Sequence, residues 1–167
     1  MIRRKLLTAL GLGSLLPLAV RAAAPTPSAA ATPPAPGMTP LRLSDAQWKE
    51  RLTPMQYDVL RKEGTERAGT SPLNAEKRAG AYHCAGCDLP LFTSKMKYDS
   101  GTGWPSFFTT LPGVFATKVD NTLFSKRTEY HCARCGGHHG HVFDDGPAPT
   151  GLRYCNNGVA LKFVVAA

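Results

Sequence analysis

Five cysteines and five histidines hold most of the reactive chemistry in this chain. Four of the cysteines fall in two matched knuckles, "YHCAGC" with Cys84 and Cys87 and "YHCARC" with Cys132 and Cys135. In each, two thiolates three positions apart on a tight turn can reach one metal ion. Two knuckles together supply the four sulfur ligands of a tetrahedral zinc site. Two disulfides compete with that reading in an oxidising compartment. A thioredoxin-like redox motif would need a βαβ context, which is missing. Repetition of the knuckle together with its leading Tyr-His decides for zinc. Four protein ligands leave no open position, so the expected ion is structural.

The fifth cysteine, Cys155 in "GLRYCNNGVALKF", has no matched partner. Unpaired cysteines are often packing residues, but its surroundings point to chemistry. Arg153 stands two positions away, on the same face of a strand, where a cation lowers a thiol pKa and favours the nucleophilic thiolate. "CGGHHGHVFDDGP" brings His138, His139 and His141, which exchange protons near neutrality. Two of the three at most are expected to take part. A metal site made from these histidines alone has no carboxylate to complete it. "SGTGWPSFF" presents Trp104, Phe107 and Phe108 on a turn rich in Gly and Pro, where recognition residues tend to sit. Aromatics also fill cores, so burial competes with recognition here.

These groups need a scaffold. Ser44 with Gln47 makes a capping box for one short helix, and Thr53, Pro54 and Gln56 start a second. Met55, Val59 and Leu60 form the apolar stripe of the second helix, with Gly64 as its stop. After Gly80 the pattern changes to short β-branched and aromatic runs separated by Gly, Pro, Asn and Asp: "AYHC", "PLF", "GVFATKV", "TEYHC", "HVF", "LRYC" and "VALKF". The expected fold is mainly β, with antiparallel strands and two small helices on the N-terminal side. A sheet excursion between the knuckles must bring their cysteines together.

The first residues read as an export device. Arg3, Arg4 and Lys5 precede an apolar run from Leu6 to Val20 and a small-residue exit at Ala22 to Ala24, the parts of a secretory signal. The run is broken by Gly11, Gly13 and Pro17 and is shorter than the roughly 20 residues that span a bilayer. The Arg3-Arg4 pair followed by "KLL" also resembles a twin-arginine signal, a route for proteins already folded. Cleavage after residue 24 removes four cations and lowers the formal charge from +8 to +4, leaving no basic patch with interleaved aromatics for nucleic acid. Residues 25–40, "PTPSAAATPPAPGMTP", cannot bury a core and form a spacer. Residues 41–167 are the size of one domain.

Taken together, "AYHCAGCDLPLF", "YDSGTGWPSFF", "CGGHHGHVFDDGPAPTGLRYCNNG" and the upstream "RKEGTE" resemble the B-type methionine sulfoxide reductases, over roughly Leu41 to Phe163. That resemblance implies two antiparallel sheets around a small barrel-like core, with a zinc tetrathiolate at one edge, remote from catalysis. It implies reduction of the R epimer of methionine sulfoxide, in oxidised proteins or peptides or in the free amino acid. By the same likeness Cys155 is the nucleophile, and Arg153 and Asn157 orient the site. His138 and His141 position water and protonate the sulfoxide oxygen, with Asp145 beside them, and Trp104 receives the substrate methyl group. The sequence departs from the family pattern at three places. Thr102 occupies the slot in which many members carry a resolving cysteine, Asn156 replaces a branched aliphatic residue, and Gly158 stands where Ser is frequent.

The resulting expectation is an exported, periplasmic, monomeric reductase. Its Cys155 is oxidised to sulfenic acid and restored by a thioredoxin-like or other external thiol. The competing reading is a non-catalytic, zinc-stabilised β module that uses the Trp104 loop for recognition. Such a module has no need of Cys155, Arg153, His138 and His141 together.

Overall fold

A computed structural model describes residues 37–122 and 126–167. The proposed leader and residues 25–36 of the spacer lie outside the described residues. No helix among the described residues is long and apolar enough to cross a membrane.

Both predicted helices form, each behind a complete capping box. α1 (Asp45–Arg51) starts at Ser44 and Gln47, and α2 (Pro54–Lys62) at Thr53 and Gln56, with Pro54 in its first turn. One local expectation fails: Met55 is half exposed, so the buried stripe of α2 is Val59 and Leu60. The helix stops just before Gly64 as expected, with Glu63 as its left-handed C-cap.

Nine strands follow among the described residues: β1 (Gly80–Cys84), β2 (Pro90–Thr93), β3 (Lys97–Tyr98), β4 (Ser106–Phe107), β5 (Phe115–Asp120), β6 (Arg127–Cys132), β7 (His138–Phe143), β8 (Arg153–Asn156) and β9 (Leu161–Val165). They make two antiparallel sheets, one ordered β2-β1-β9 and the other β3-β4-β8-β7-β6-β5. The mainly β expectation holds, and the core lies between the sheets. Phe92 stacks on Phe107 with ring centroids 3.9 Å apart, Tyr82 meets Phe107 edge-on at 5.0 Å, and Phe115 meets Tyr130 at 4.8 Å. Offset and edge-on aromatic pairs of this kind contribute beyond their buried area.

The pleat of the larger sheet separates structure from chemistry. Residues directly opposite in antiparallel strands share a face. Register therefore puts Tyr98, Ser106, Cys155, His141, Glu129 and Lys118 in one row across all six strands. Their sequence neighbours Phe107, Tyr154 and Tyr130 face the core instead.

Candidate active site

Cys155 is half-buried on β8, with Arg153 on the same face by strand alternation. It opens into a cleft of about 140 Å³ shared with Thr65, Trp104, Arg127, His141 and Asn157. A larger hollow of about 440 Å³ lies beside the second knuckle, lined by Arg42, Arg61 and Arg134. The smaller cleft is the candidate site, because there the cysteine outside the knuckles shares the lining with a titratable histidine.

The expected electrostatics need one correction. Arg153 was expected to favour the thiolate, and it does pull in that direction, as does Thr102. Burial outweighs both and pushes the Cys155 thiol above its ordinary value. The resting cleft therefore holds a protonated thiol near neutrality. Arg153 is itself held by a bidentate pair to Asp145, with Nε and Nη2 each 2.8 Å from a carboxylate oxygen, and its guanidinium lies 4.3 Å from the centroid of Phe143. Asp145 thus stands beside Arg153 and not beside the histidines. Two successive carboxylates in "FDDG" gave no sequence clue to which partner they would take.

A β-bulge selects among the three histidines. Between Tyr130 and His131 the pairing of β6 with β7 slips, so that His131 opposes His138 while Tyr130 opposes Gly140. The extra residue allows His138 and His141, three apart, to share the cleft-side face and turns His139 into the core. Gly140 is required at this point, because a Cβ would come within 2.0 Å of the Cys155 carbonyl oxygen. His139 is fully buried against Phe115 and Tyr130, and burial pushes its pKa down to about 3.

His141 lines the cleft, with Nε2 2.8 Å from Asp120 Oδ2. Burial lowers the His141 pKa, and Asp120 opposes that shift without cancelling it. Asp120 is held well below the usual carboxylate range by Thr122, His141 and Arg127, whose Nη2 donates to it at 2.6 Å. His138 lies deeper, with its ring 5.6 Å from that of His141 and its Nδ1 2.9 Å from Glu129 Oε1. Burial works to raise the Glu129 carboxyl, but His138 and Lys118, the latter 3.0 Å away, outweigh it and keep the group low. Asp120, Arg127 and Glu129 were missed in the sequence. Their spacing along β5 and β6 carries no signal until the strands are put in register.

Trp104 forms one wall and donates its indole N–H to the Glu66 carbonyl at 3.1 Å. Asn157 is buried: its Oδ1 accepts from the Glu66 N–H at 3.0 Å, and its Nδ2 donates to the His139 carbonyl at 3.0 Å. Phe107, expected to touch substrate, is fully buried between Phe92 and Tyr82 and cannot reach the cleft. It belongs to β4, a short strand where Gly and Pro predict a loop, and the pleat turns it away from the face of Ser106. Asn156 also points to the core side, where it accepts from the Tyr130 hydroxyl at 2.9 Å, so its polarity is satisfied there. At Gly158 an added Cβ would lie 1.9 Å from Ser71 Oγ, which leaves no room for a side chain unless Ser71 moves.

The four knuckle cysteines meet on the turns after β1 and β6. Their sulfurs all lie within 4.8 Å of one another, with Cys84 to Cys135 at 3.7 Å and Cys87 to Cys132 at 3.6 Å. A tetrahedral ion with metal–sulfur bonds of about 2.3 Å sets sulfurs about 3.8 Å apart, so these residues fit a metal. None of the five cysteines is in a disulfide. Hydrogen bonding among the crowded sulfurs, with burial, pushes the Cys84 thiol well up, a conflict that a shared cation relieves. Three arginines brace the knuckle carbonyls from outside: Arg51 on Gly86 at 2.7 Å, Arg61 on Cys135 at 2.9 Å and Arg134 on Cys87 at 3.2 Å.

Comparison with known proteins agrees with this geometry. A family model described as the SelR domain matches residues 52–165. The peptide methionine sulfoxide reductase MsrB of Agrobacterium fabrum is 54% identical over 121 residues, covering 72% of this chain and 90% of its own length. The proteins of that name from Leptospira interrogans and Pseudomonas putida are 52% and 53% identical, over 92% and 89% of their own lengths and over 72% and 70% of this chain. With a family model that spans most of the chain and relatives identical at more than half of the aligned positions, the chain belongs to the SelR family, the B-type methionine sulfoxide reductases.

Proposed function

We propose that this enzyme reduces the R epimer of methionine sulfoxide through Cys155, with a structural zinc ion held by Cys84, Cys87, Cys132 and Cys135. The observation that carries the reading is the pairing of Cys155 with His141 across β7 and β8, both side chains facing one cleft beside Trp104. A sulfoxide sulfur approached by Cys155 presents its oxygen towards the histidine side, and its methyl group fits the Trp104 wall. Family membership makes a non-catalytic recognition module untenable.

The chemistry follows from the protonation states. Sulfur attack forms a Cys155 S–S bond to the substrate, and the sulfoxide oxygen takes up a proton. Because burial keeps Cys155 as a thiol, its own proton is available, and His141, oriented by Asp120, is placed to pass a proton to the oxygen. The protonated oxygen leaves the substrate sulfur as water, a water oxygen then adds to Cys155 sulfur and gives up a proton, and methionine departs with the electron pair of the S–S bond, leaving Cys155 as sulfenic acid. Atoms balance: thiol plus sulfoxide gives sulfenic acid plus thioether. Thr102 fills the slot next to Cys155 in which a resolving thiol would stand, and the other four cysteines are gathered in the metal cluster. An external thiol, small or thioredoxin-like, therefore condenses with the sulfenic acid, releasing water, and a second thiol frees Cys155. A zinc ion held by the four knuckle cysteines would brace the ends of β1 and β6, apart from these steps. Arg3 to Ala24 support export of the mature domain to the periplasm, where oxidised proteins are the substrate class in reach.

Turnover of the two resolved sulfoxide epimers with dithiothreitol tests the proposal. The R epimer is reduced by the wild type and not by Cys155→Ser. Equal turnover of the S epimer, or retained activity in the serine variant, would overturn it.

A further inference from the structure

One buried acid is joined to the Trp104 and Asn157 side of the cleft without facing the reacting atoms. Glu66 is 3% exposed and lies on the segment between α2 and β1. Its carboxylate accepts from two successive backbone N–H groups just after the nucleophile strand, those of Gly158 and of Val159, the latter at 3.1 Å. Its own N–H donates to Asn157 Oδ1, and its carbonyl accepts from Trp104 Nε1. The residue before it, Thr65, lines the cleft. Four hydrogen bonds from one residue thus connect the Trp104 loop, Asn157 and the backbone that leaves Cys155.

We propose that Glu66 is a positioning residue for the reductase reaction: its buried carboxylate clamps the turn at Gly158 and Val159, and so sets Cys155 against the Trp104 wall. The inference rests on the functional reading above and deepens it. A carboxylate suits this place because it has only acceptors, and both neighbours are donors. Glutamine presents an amide NH₂ to one of those N–H groups, donor against donor. Aspartate keeps the charge but withdraws it by one carbon. The lack of room at Gly158 fits the same purpose, since a side chain there would press on Ser71 and come within 3.1 Å of Glu66 Oε1.

Glu66→Gln and Glu66→Asp leave both backbone hydrogen bonds of residue 66 possible, so they test the carboxylate alone. Each is expected to lower kcat/KM for the R sulfoxide by about 10²-fold, the scale of a small misplacement of reacting groups. Fluorotryptophan NMR provides a reading that general destabilisation does not move. The chain has two tryptophans, and the Trp104 signal should shift or broaden while that of Trp48 stays in place. The control is Leu161→Ala, a core cavity on β9, which lowers the melting temperature but should keep kcat/KM within a few-fold. Wild-type kinetics in either Glu66 variant would overturn the inference. So would a loss no greater than that of Leu161→Ala with the Trp104 signal unmoved, or failure of both variants to fold, which would make Glu66 a folding residue. If the wild type itself does not reduce the sulfoxide, the functional reading fails, and the Trp104 signal still decides whether the clamp exists.

Discussion

The knuckle cluster and the Cys155 cleft use the same functional group for opposite ends. At the knuckles four thiols are buried against one another, braced by three arginines that bind carbonyls and leave the sulfurs to each other. At the cleft one thiol is half-buried and faces other chemistry: a histidine backed by a carboxylate, a fixed guanidinium and an aromatic wall. Sulfur crowded by sulfur fits a shared cation, which would saturate its bonding capacity and withhold it from oxidants. Sulfur kept apart from other thiols, but within reach of an acid, has its reactivity left for a substrate. The two kinds of thiol in this molecule therefore differ in their company as well as in their depth.

The sharpest way to break that contrast is to exchange the losses. Cys155→Ser should abolish turnover while leaving metal content and melting temperature within error of the wild type. Cys87→Ser should lose the metal and with it cooperative unfolding, because site formation and folding are coupled. Elemental analysis and calorimetry on both variants check the pair. A Cys87→Ser protein that unfolds like the wild type would erase the distinction.

A smaller effect is expected from the acid side of the cleft. His141→Ala should reduce kcat by about 10²–10⁴-fold, the usual range for a general acid. Asp120→Asn should cost about tenfold, since the imidazole remains but loses its charged partner. Steady-state kinetics on the R sulfoxide distinguishes them, and equal losses would mean that Asp120 acts directly.

The smallest effect concerns the thiol itself. Burial raises the Cys155 pKa and Arg153 opposes the rise. Alkylation of Cys155 should therefore increase with pH through a midpoint above that of an ordinary thiol, and Arg153→Ala should move the midpoint higher still, slowing alkylation at pH 7 by a few-fold. A midpoint below the ordinary value would restore the resting thiolate.

Much of this was legible in the residues alone. Doubled Cys-x-x-Cys turns can put two sulfurs at one point whatever the fold around them, because the spacing is local. Capping boxes at Ser44 and Thr53 fixed both helix starts for the same reason. Cys155, His141 and Trp104 could be picked out by residue type and motif. What local spacing could not supply was the assignment of faces. Phe107 was assigned to substrate and belongs to the core, Asp145 was set beside the histidines and belongs to Arg153, and the partners Asp120 and Glu129 went unseen. Each of these depends on strand register, and in a pleated sheet a shift of one residue moves a side chain to the opposite face. The bulge at Tyr130 and His131 is such a shift, and it puts His138 and His141 on the cleft-side face of the sheet and His139 in the core. Type and local spacing are properties of the sequence; which groups meet across strands is settled only when the sheet has formed.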